Sequence, residues 1–297
     1  MGLFKKKKDA SLKQNLDEKT YLPGSICPIH LFMEEWCDVP AKERVTEVFE
    51  DKFGDIDVFS YDENVIGISG KKYISEFKEG NVPPMLMITN CAEAKDYHID
   101  EIALSQMWDC PEHDEILKRC RYHVIATDML TAGLSYKEHA DILMDYMEAL
   151  LELYPSTEAV LFDNSKKMFS KERVVSKEIP KEDRFIYYAV NVRFFNIQGT
   201  EDMLVDTIGM STICLPDLQY HFHGMDSNWV VNHAYNVLSY IYQGDSPIKN
   251  GDTIDGIIDG EMNQQIQWKC RYEDSLIQPI RPVIDINMGD YASGKRR

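Results

Sequence analysis

Residues 135–155 read SYKEHADILMDYMEALLELYP, and this stretch decides the fold class because it predicts a long helix among many predicted strands. Ser135 and Glu138 have the spacing of a capping box, in which the two side chains satisfy backbone N–H groups at a helix start. Pro155 stops the pattern, since proline lacks the N–H that a helix interior needs. Apolar residues recur between them at helical spacing: Tyr136, Ala140, Leu143, Met147, Leu150, Leu151 and Tyr154. The sequence therefore predicts a helix at about 136–154.

Two further helices carry similar signals. Asp226 or Ser227 is the predicted N-cap of a long helix at about 228–242, and Gly244 lies just beyond its end. The apolar face of this helix consists of Val230, Ala234, Val237 and Ile241. A shorter helix is predicted between Pro40 and Gly54, from the spacing of Val45, Val48, Phe49 and Phe53.

Short apolar or alternating runs predict strands through the rest of the chain. They lie at residues 29–33, 56–61, 64–77 (interrupted by glycines), 85–89, 123–127, 159–162, 185–197, 203–208, 218–223, 254–258, 266–271 and 283–286. Residues 102–108 predict one or two helical turns. Groups of strands between single helices favour an α+β fold, with mixed or antiparallel sheets and long helices packed on one face.

The pattern also predicts how the chain is organised. Residues 1–24 are polar and end at Pro23-Gly24, which predicts a disordered leader. An N-terminal α+β part is predicted at 25–120, a C-terminal α+β part at 121–290 and a tail at 291–297. One domain or two are both consistent with a chain of 297 residues.

The net charge limits the kinds of partner that the protein is expected to bind. The chain has 50 acidic and 32 basic residues, a formal net charge of −18. This balance argues against nucleic acid and against anionic membrane, since both are bound through Lys and Arg. It favours a partner protein with a basic surface, or cations, although solubility alone also explains such a charge.

The cysteines indicate a reducing compartment. The chain has seven cysteines at loose spacing: Cys27, Cys37, Cys91, Cys110, Cys120, Cys214 and Cys270. Their number is odd, and the lysines at 5–8 are followed by polar residues rather than by the apolar stretch of a secretory signal. We therefore expect free thiols and a cytoplasmic protein.

One segment has the residue types of a zinc site. Cys110, His113, Cys120 and His123 follow the pattern C-x2-H-x6-C-x2-H, and zinc is bound by thiolates and imidazoles. The middle gap of six is short for a zinc finger, and the residues within it predict a helix. Four unrelated core or surface residues are the alternative.

A second metal candidate is an H-x-H pair. His221 and His223 are two residues apart in a predicted strand, so their imidazoles point to the same side. His233 on the following helix is the candidate third ligand, and this set suggests a metal-dependent hydrolase. Exposed strand histidines, with His233 as a hydrogen-bonded core residue, are the alternative.

Other signatures are weaker. Asp252, Asp255 and Asp259 lie among glycines as in calcium loops, but the order of a calcium loop is missing and turn formation explains them as well. No phosphate-binding loop, G-x-S-x-G or H-E-x-x-H motif occurs. The sequence therefore predicts no cofactor and names no catalytic residue.

Several motifs in the last third of the chain resemble a known family. They are Asp206-Thr207-Ile208-Gly209-Met210, Leu215-Pro216-Asp217-Leu218-Gln219, Gly251-Asp252-Thr253-Ile254, and Ser275 followed by Pro279 and Val283. Their order resembles the uncharacterised bacterial family known as domain of unknown function DUF4261. Ala103–Trp108 and Tyr122–Ala126 are similar to fuller-length members, so the resemblance covers roughly the last 60% of the chain. It implies a bacterial cytosolic α+β protein and brings no activity.

Two functional hypotheses follow from the sequence. The first is a protein-binding, inhibitor or immunity-type protein that acts on a basic partner, since no catalytic motif is present and the charge is acidic. The second is a small metal-dependent enzyme that uses His221 and His223. The first is favoured, so the interpretation leans toward a binding protein, and the sequence does not decide whether the protein is an enzyme.

Overall fold

The structure is a computed structural model that describes residues 26–294. The predicted leader at 1–24 lies outside the described residues, as do the last three residues of the predicted tail. The chain divides into two compact units, with the boundary between Ala189 and Val190. We call residues 26–189 the first unit and residues 190–294 the second unit. The predicted boundary at 120–121 falls inside the first unit.

Ten strands are described in the first unit. They are β1 Ile29–Met33, β2 Ile56–Tyr61, β3 Val65–Gly70, β4 Ser75–Phe77, β5 Gly80–Val82, β6 Met85–Thr89, β7 Ala92–Glu93, β8 Tyr122–Met129, β9 Ala159–Phe162 and β10 Lys167–Ser170. Eight of them form one sheet in the order β10-β9-β1-β8-β6-β3-β2, with β7 paired to β8. The pairings within this sheet are antiparallel, and β4 and β5 form a separate hairpin.

Helices of the first unit lie on both faces of this sheet. They are α1 Lys42–Phe53, α2 Glu101–Ser105, α3 His113–Arg119, α4 Tyr136–Leu153, α5 Lys171–Ser176 and α6 Arg184–Ala189. The long helix α4 contacts α1, and its His139 reaches Asp128 on one face of β8. The short helices α2 and α3 pack with Phe32, which lies beside His123 on the opposite face.

The capping box predicted for α4 is confirmed. The Glu138 backbone N–H donates to Ser135 Oγ at 3.3 Å, and the Ser135 N–H donates to Glu138 Oε2 at 3.1 Å. The helix ends at Leu153, and its apolar face is buried. Burial of that face, together with these caps, explains why so long a helix forms here.

The second unit is a six-stranded sheet with one long helix. Its elements are β11 Asn191–Asn196, β12 Met203–Ile208, β13 Asp217–Phe222, α7 Ser227–Gln243, β14 Thr253–Ile258, β15 Glu261–Asp274 and β16 Pro282–Asn287. The strand order is β11-β12-β13-β16-β15-β14, and β13 and β16 are parallel. Helix α7 packs on the face of β11, β12 and β13, and the Asp226 side chain caps its start as predicted. 

The predicted strand at 185–197 is wrong in its first half. Residues 184–189 form the helix α6, and the strand β11 begins only at Asn191. Phe185, Ile186, Tyr188 and Ala189 are all buried, a spacing that fits a helix period better than strict alternation. Arg184 also fixes the helix, because its guanidinium pairs with Asp145 and Glu148 on α4.

The fold class is confirmed: the described residues form seven α-helices and three mostly antiparallel sheets, with the long helices packed on sheet faces. None of the helices described is both long enough and apolar enough to cross a membrane.

Candidate functional site

Four buried charged side chains of the second unit contact one another, and we call them the ion-pair cluster: Arg193, Asp206, Asp217 and Arg281. None is more than 7% exposed. Arg193 binds Asp206 through two parallel hydrogen bonds, with Nε 2.8 Å from Oδ1 and Nη2 2.6 Å from Oδ2. Arg281 contacts both acids, with Nη2 2.7 Å from Asp206 Oδ2 and Nε 3.2 Å from Asp217 Oδ2. Two cations and two anions therefore balance within the cluster, while the buried Asp285 lies outside it and accepts a hydrogen bond from the Gln219 amide.

Strand register brings the cluster together. Arg193 on β11 lies directly opposite Asp206 on β12, so both side chains are on the same face of the sheet. Asp217 begins β13, where its Oδ1 accepts hydrogen bonds from Thr207 Oγ1 at 3.1 Å and from the Met210 N–H at 3.2 Å. Burial raises the pKa of the Asp217 carboxyl above its usual value, although Arg281 beside it acts in the opposite direction.

The cluster holds a loop in place. Residues 275–281, which we call the SLIQPIR loop, join β15 to β16. Arg281 Nη1 donates to the Pro279 carbonyl at 2.9 Å, and Arg193 Nη1 donates to the Gln278 carbonyl at 3.2 Å. The same guanidinium groups that neutralise the buried acids therefore also bind the backbone of the loop.

Two more contacts close the loop. The Ser275 N–H donates to the Arg281 carbonyl at 2.9 Å, which joins the two ends of the loop. Gln219 on β13 accepts from the Leu276 N–H at 2.7 Å, and its amide donates to Asp285 at 3.0 Å. The loop backbone is therefore held by Arg193 and Gln219 from neighbouring strands and by Arg281 and Ser275 at its own ends.

The outer side of the SLIQPIR loop is apolar. Leu276 is 49% exposed and Ile280 is 57% exposed, and Gln278 and Pro279 between them are also exposed. Both carboxylates of the ion-pair cluster are bound by guanidinium groups, so the cluster positions the backbone and presents no reactive group. The arrangement is that of a rigid loop carrying two exposed aliphatic side chains.

One family matches this part of the chain. The sequence profile described as Domain of unknown function (DUF4261) matches residues 206–287. The match lies within the second unit and includes Asp206, Asp217, Arg281 and the whole SLIQPIR loop, but not Arg193. No curated protein and no solved structure matches the chain.

The predicted extent of the family resemblance, roughly the last 60% of the chain, is wrong. Residues 103–108 and 122–126 lie outside the match. Both stretches belong to the first unit, where residues 103–105 lie in α2 and residues 122–126 lie in β8. Three of the quoted motifs do converge, because Thr207, Asp217 and Gln219 contact the ion-pair cluster or its loop and Ser275 and Pro279 belong to the loop. The fourth, at 251–254, leads into β14 at the edge of the sheet.

The structure places His221 and His223 near one carboxylate. His221 Nε2 lies 3.5 Å from Asp202 Oδ2. The Ser293 hydroxyl donates to Asp202 Oδ1 at 2.7 Å, and His223 Nδ1 lies 3.1 Å from the same hydroxyl oxygen. Both histidines therefore connect to Asp202: His221 lies next to it, and His223 reaches it through the Ser293 hydroxyl.

His233 is on the other face of the sheet from His221. Its Nδ1 lies 2.9 Å from the Tyr220 hydroxyl, and its Nε2 donates to the Asp255 carbonyl at 2.8 Å. A carbonyl can only accept, so Nε2 carries the proton and Nδ1 accepts from Tyr220. Burial lowers the pKa of His233, which keeps this core histidine neutral. Tyr220 precedes His221 in β13, so the two side chains point to opposite faces.

The four residues of the predicted zinc set have separate surroundings. Cys110 and Cys120 are buried in the core beneath α2 and α3, and burial raises their pKa values to about 12 and about 11. His113 Nδ1 donates to the Cys110 carbonyl at 2.8 Å, while His123 faces His30 with their Nδ1 atoms 3.4 Å apart. The two imidazoles therefore have partners other than the two thiols.

The three aspartates of the candidate calcium site lie in turns or form hydrogen bonds between strands. Asp252 accepts from the Lys249 N–H, and Asp255 accepts from the Gln267 amide. Asp259 lies at the β14–β15 turn with a φ of 52°. Across residues 26–294, no group of three or more His, Cys, Asp or Glu side chains is arranged to hold a metal ion.

The sequence reasoning missed the ion-pair cluster, although a signal was present. Arg193 lies between Val192 and Phe194, and Asp206 follows Leu204 and Val205 in a strand that is buried from residue 204 to residue 208. A charge at such a position needs a partner of opposite sign, because an isolated buried charge is very costly. The members of the cluster are up to 88 positions apart in the chain, from Arg193 to Arg281. A pattern of residues at short spacing therefore could not predict that they meet.

Proposed function

We propose that this protein binds another protein with a basic surface, as an inhibitor or immunity-type protein does, through the SLIQPIR loop. The observation that carries the proposal is the combination of a loop fixed from beneath by Arg193, Arg281 and Gln219 with exposed Leu276 and Ile280 on its outer side. A cytoplasmic location in a bacterium remains part of this proposal.

A preformed loop favours binding for a thermodynamic reason. Ordering a flexible loop on association costs free energy, and a loop that is already ordered avoids that cost. Aliphatic side chains held outward can then enter a pocket on the partner, as the central residues of protein interfaces do. Leu276 and Ile280 are candidates for such anchors because the loop positions both toward solvent.

The charge around the loop supports the proposal of a basic partner. The second unit has fourteen acidic and five basic residues, and two of the basic ones, Arg193 and Arg281, are buried in the ion-pair cluster. The basic side chains on its surface are Lys249, Lys269 and Arg271. Glu273 and Asp274 directly precede the loop. A surface so unbalanced attracts a basic protein over distances of about a Debye length.

The excess of acidic residues extends to the rest of the described chain. Nine of the 32 basic residues and three of the 50 acidic residues lie outside the described range. The described residues are therefore more acidic than the formal charge of −18 suggests. Association with a basic partner would be fast and would weaken as salt is added.

The test uses two loop variants and a matched control. Leu276→Asp and Ile280→Asp each place a charge where an apolar anchor is proposed, and Val175→Asp does the same at an exposed position in the first unit. A photo-crosslinking residue at position 280 or 175 is introduced in the native host at low and moderate salt. We expect one basic protein to be captured from position 280 and not from position 175.

The purified partner then gives a quantitative measurement. Each loop variant should bind it roughly 30-fold more weakly, as expected for loss of an interface anchor, while Val175→Asp binds normally. Equal binding by all three variants would exclude the loop as the interface. Capture of no protein, together with a stoichiometric transition metal in the purified chain, would favour the metal-dependent enzyme instead.

A further inference from the structure

The first unit contains a cleft whose charge is opposite to that of the rest of the protein. The cleft has a volume of about 560 Å³, within the range of small-molecule sites. Three basic side chains line it: Lys95, Lys118 and Arg121. The one acidic side chain that lines it, Glu93, is paired with Lys95 at 2.7 Å.

Two of these cations are available to a ligand. Lys118 and Arg121 are exposed, and neither forms an ion pair with any carboxylate within residues 26–294. The neighbouring Arg119 differs, since Glu34 and Glu158 both pair with it. The protein as a whole has a large excess of acidic residues, whereas the side chains that line this cleft have a net positive charge.

The floor of the cleft is apolar and is part of the packed core. Phe32, Ile99 and Cys120 belong to the buried core cluster, and Leu104 and Leu117 pack against that cluster from α2 and α3. The segment after β7 closes one side, because the Ala94 N–H donates to the Arg121 carbonyl at 2.8 Å. The site therefore combines an apolar surface with two cations at its rim.

Aromatic rings complete the lining. Tyr97 lines the cleft and is fixed by its hydroxyl, which donates to Asp163 at 2.5 Å, and its ring lies 4.3 Å from that of His30. Tyr122 lines the rim beside Arg121, whose guanidinium lies 5.9 Å from the ring centroid. A flat apolar ligand can contact these rings while an anionic group reaches the cations.

We propose that this cleft binds a small organic anion with a flat apolar body, its carboxylate or similar group held by Lys118 and Arg121. This site is separate from the SLIQPIR loop and does not depend on the function proposed for it.

The test is calorimetric titration of the full chain with 1-naphthoate and with its uncharged analogue 1-naphthamide. We expect naphthoate to bind at least about fivefold more tightly, as one or two partly exposed charge-assisted contacts would give. Arg121→Gln and Lys118→Gln should each remove most of that preference and leave naphthamide unchanged. Lys78→Gln, which removes an exposed lysine elsewhere in the first unit, should change neither.

A separate variant tests the apolar floor. Leu117→Ala should weaken both compounds by a similar factor, about fivefold, because it removes apolar contact that both share. Circular dichroism of each variant checks that the fold is intact. Equal affinity for the charged and uncharged compounds would overturn the proposal, as would no binding of either at millimolar concentration or an unchanged preference in Arg121→Gln.

Discussion

Arg281 contacts two buried carboxylates and the backbone of an exposed loop with one guanidinium group. Arg281→Met keeps an unbranched side chain of similar length but leaves Asp217 without its cation in the interior. We expect the second unit to lose about 3–5 kcal/mol of unfolding free energy, the usual effect of breaking a buried ion pair. Urea denaturation followed by circular dichroism measures this loss.

The matched control is Arg271→Met. Arg271 is an exposed arginine on β15, so its replacement should change the unfolding free energy by less than about 0.5 kcal/mol. Similar losses in the two variants would show that the buried pairs contribute nothing beyond an ordinary surface charge.

His30 gives the first unit a dependence on pH. Burial lowers the pKa of His30 to about 4, more than the nearby Asp163 raises it, and the usual value is 6.5. Between these values the unfolded chain binds a proton that the folded chain does not, so folding loses stability as the pH falls from 6.5 toward 4. We expect a loss of about 3 kcal/mol over that window from this residue.

Thermal melting at neutral pH and near pH 4 tests this expectation. His30→Phe removes the titrating group and should reduce the loss of stability on acidification. His98→Asn, at an exposed histidine of the same unit, is the control and should leave it unchanged. An identical pH profile for wild type and His30→Phe would contradict the assignment.

At the scale of elements, Gly133 marks a close approach between two backbones. A Cβ atom at this position would lie 2.7 Å from both the backbone N and the backbone O of Glu76 on β4. Gly133→Ala should therefore cost about 1–3 kcal/mol, because neither backbone atom can move freely. Thermal or chemical unfolding of the variant measures the cost.

Gly70→Ala is the steric control. Its Cβ would lie 3.7 Å from the Phe53 Cβ, an ordinary contact, so the variant should be nearly as stable as wild type. If Gly133→Ala were equally harmless, the β4–β5 hairpin would not pack on the segment around Gly133 as described.

The helices that were predicted accurately are those with residues in the sequence that mark where a helix begins or ends. Helix α4 begins with a capping box and stops before Pro155, and α7 follows the Asp226 cap, so both were predicted to within one or two residues. Residues 184–189 have no such signal and lie in an apolar run, which was interpreted as strand. The SLIQPIR loop was not predicted as a site, since its conformation depends on partners in β11 and β13.

At the scale of the molecule, we expect the second unit to fold by itself. A fragment of residues 190–294 contains all six strands of its sheet, the helix α7 and every member of the ion-pair cluster. A fragment limited to the family match, 206–287, begins inside β12 and lacks β11 with Arg193. It should remain largely unfolded, because Asp206 loses its bidentate partner and the sheet loses an edge strand.

Amide dispersion in two-dimensional NMR spectra distinguishes the two fragments. Well-dispersed signals are expected for 190–294 and collapsed signals for 206–287. The reverse result, or unfolded spectra from both, would show that the compact unit seen here is not a folding unit. Sequence patterns alone do not locate this boundary, because a strand begins immediately after α6 without a linker.

The SLIQPIR loop separates residues that maintain the fold from residues that face outward. Ser275 and Arg281 close the loop through their own backbone and side-chain bonds, whereas Leu276 and Ile280 project their side chains into solvent. Substitutions at 276 and 280 can therefore accumulate without disturbing the ion-pair cluster. Homologous chains are free to diversify at these two positions while keeping the same scaffold, and a combinatorial library restricted to them would yield folded variants with new binding preferences.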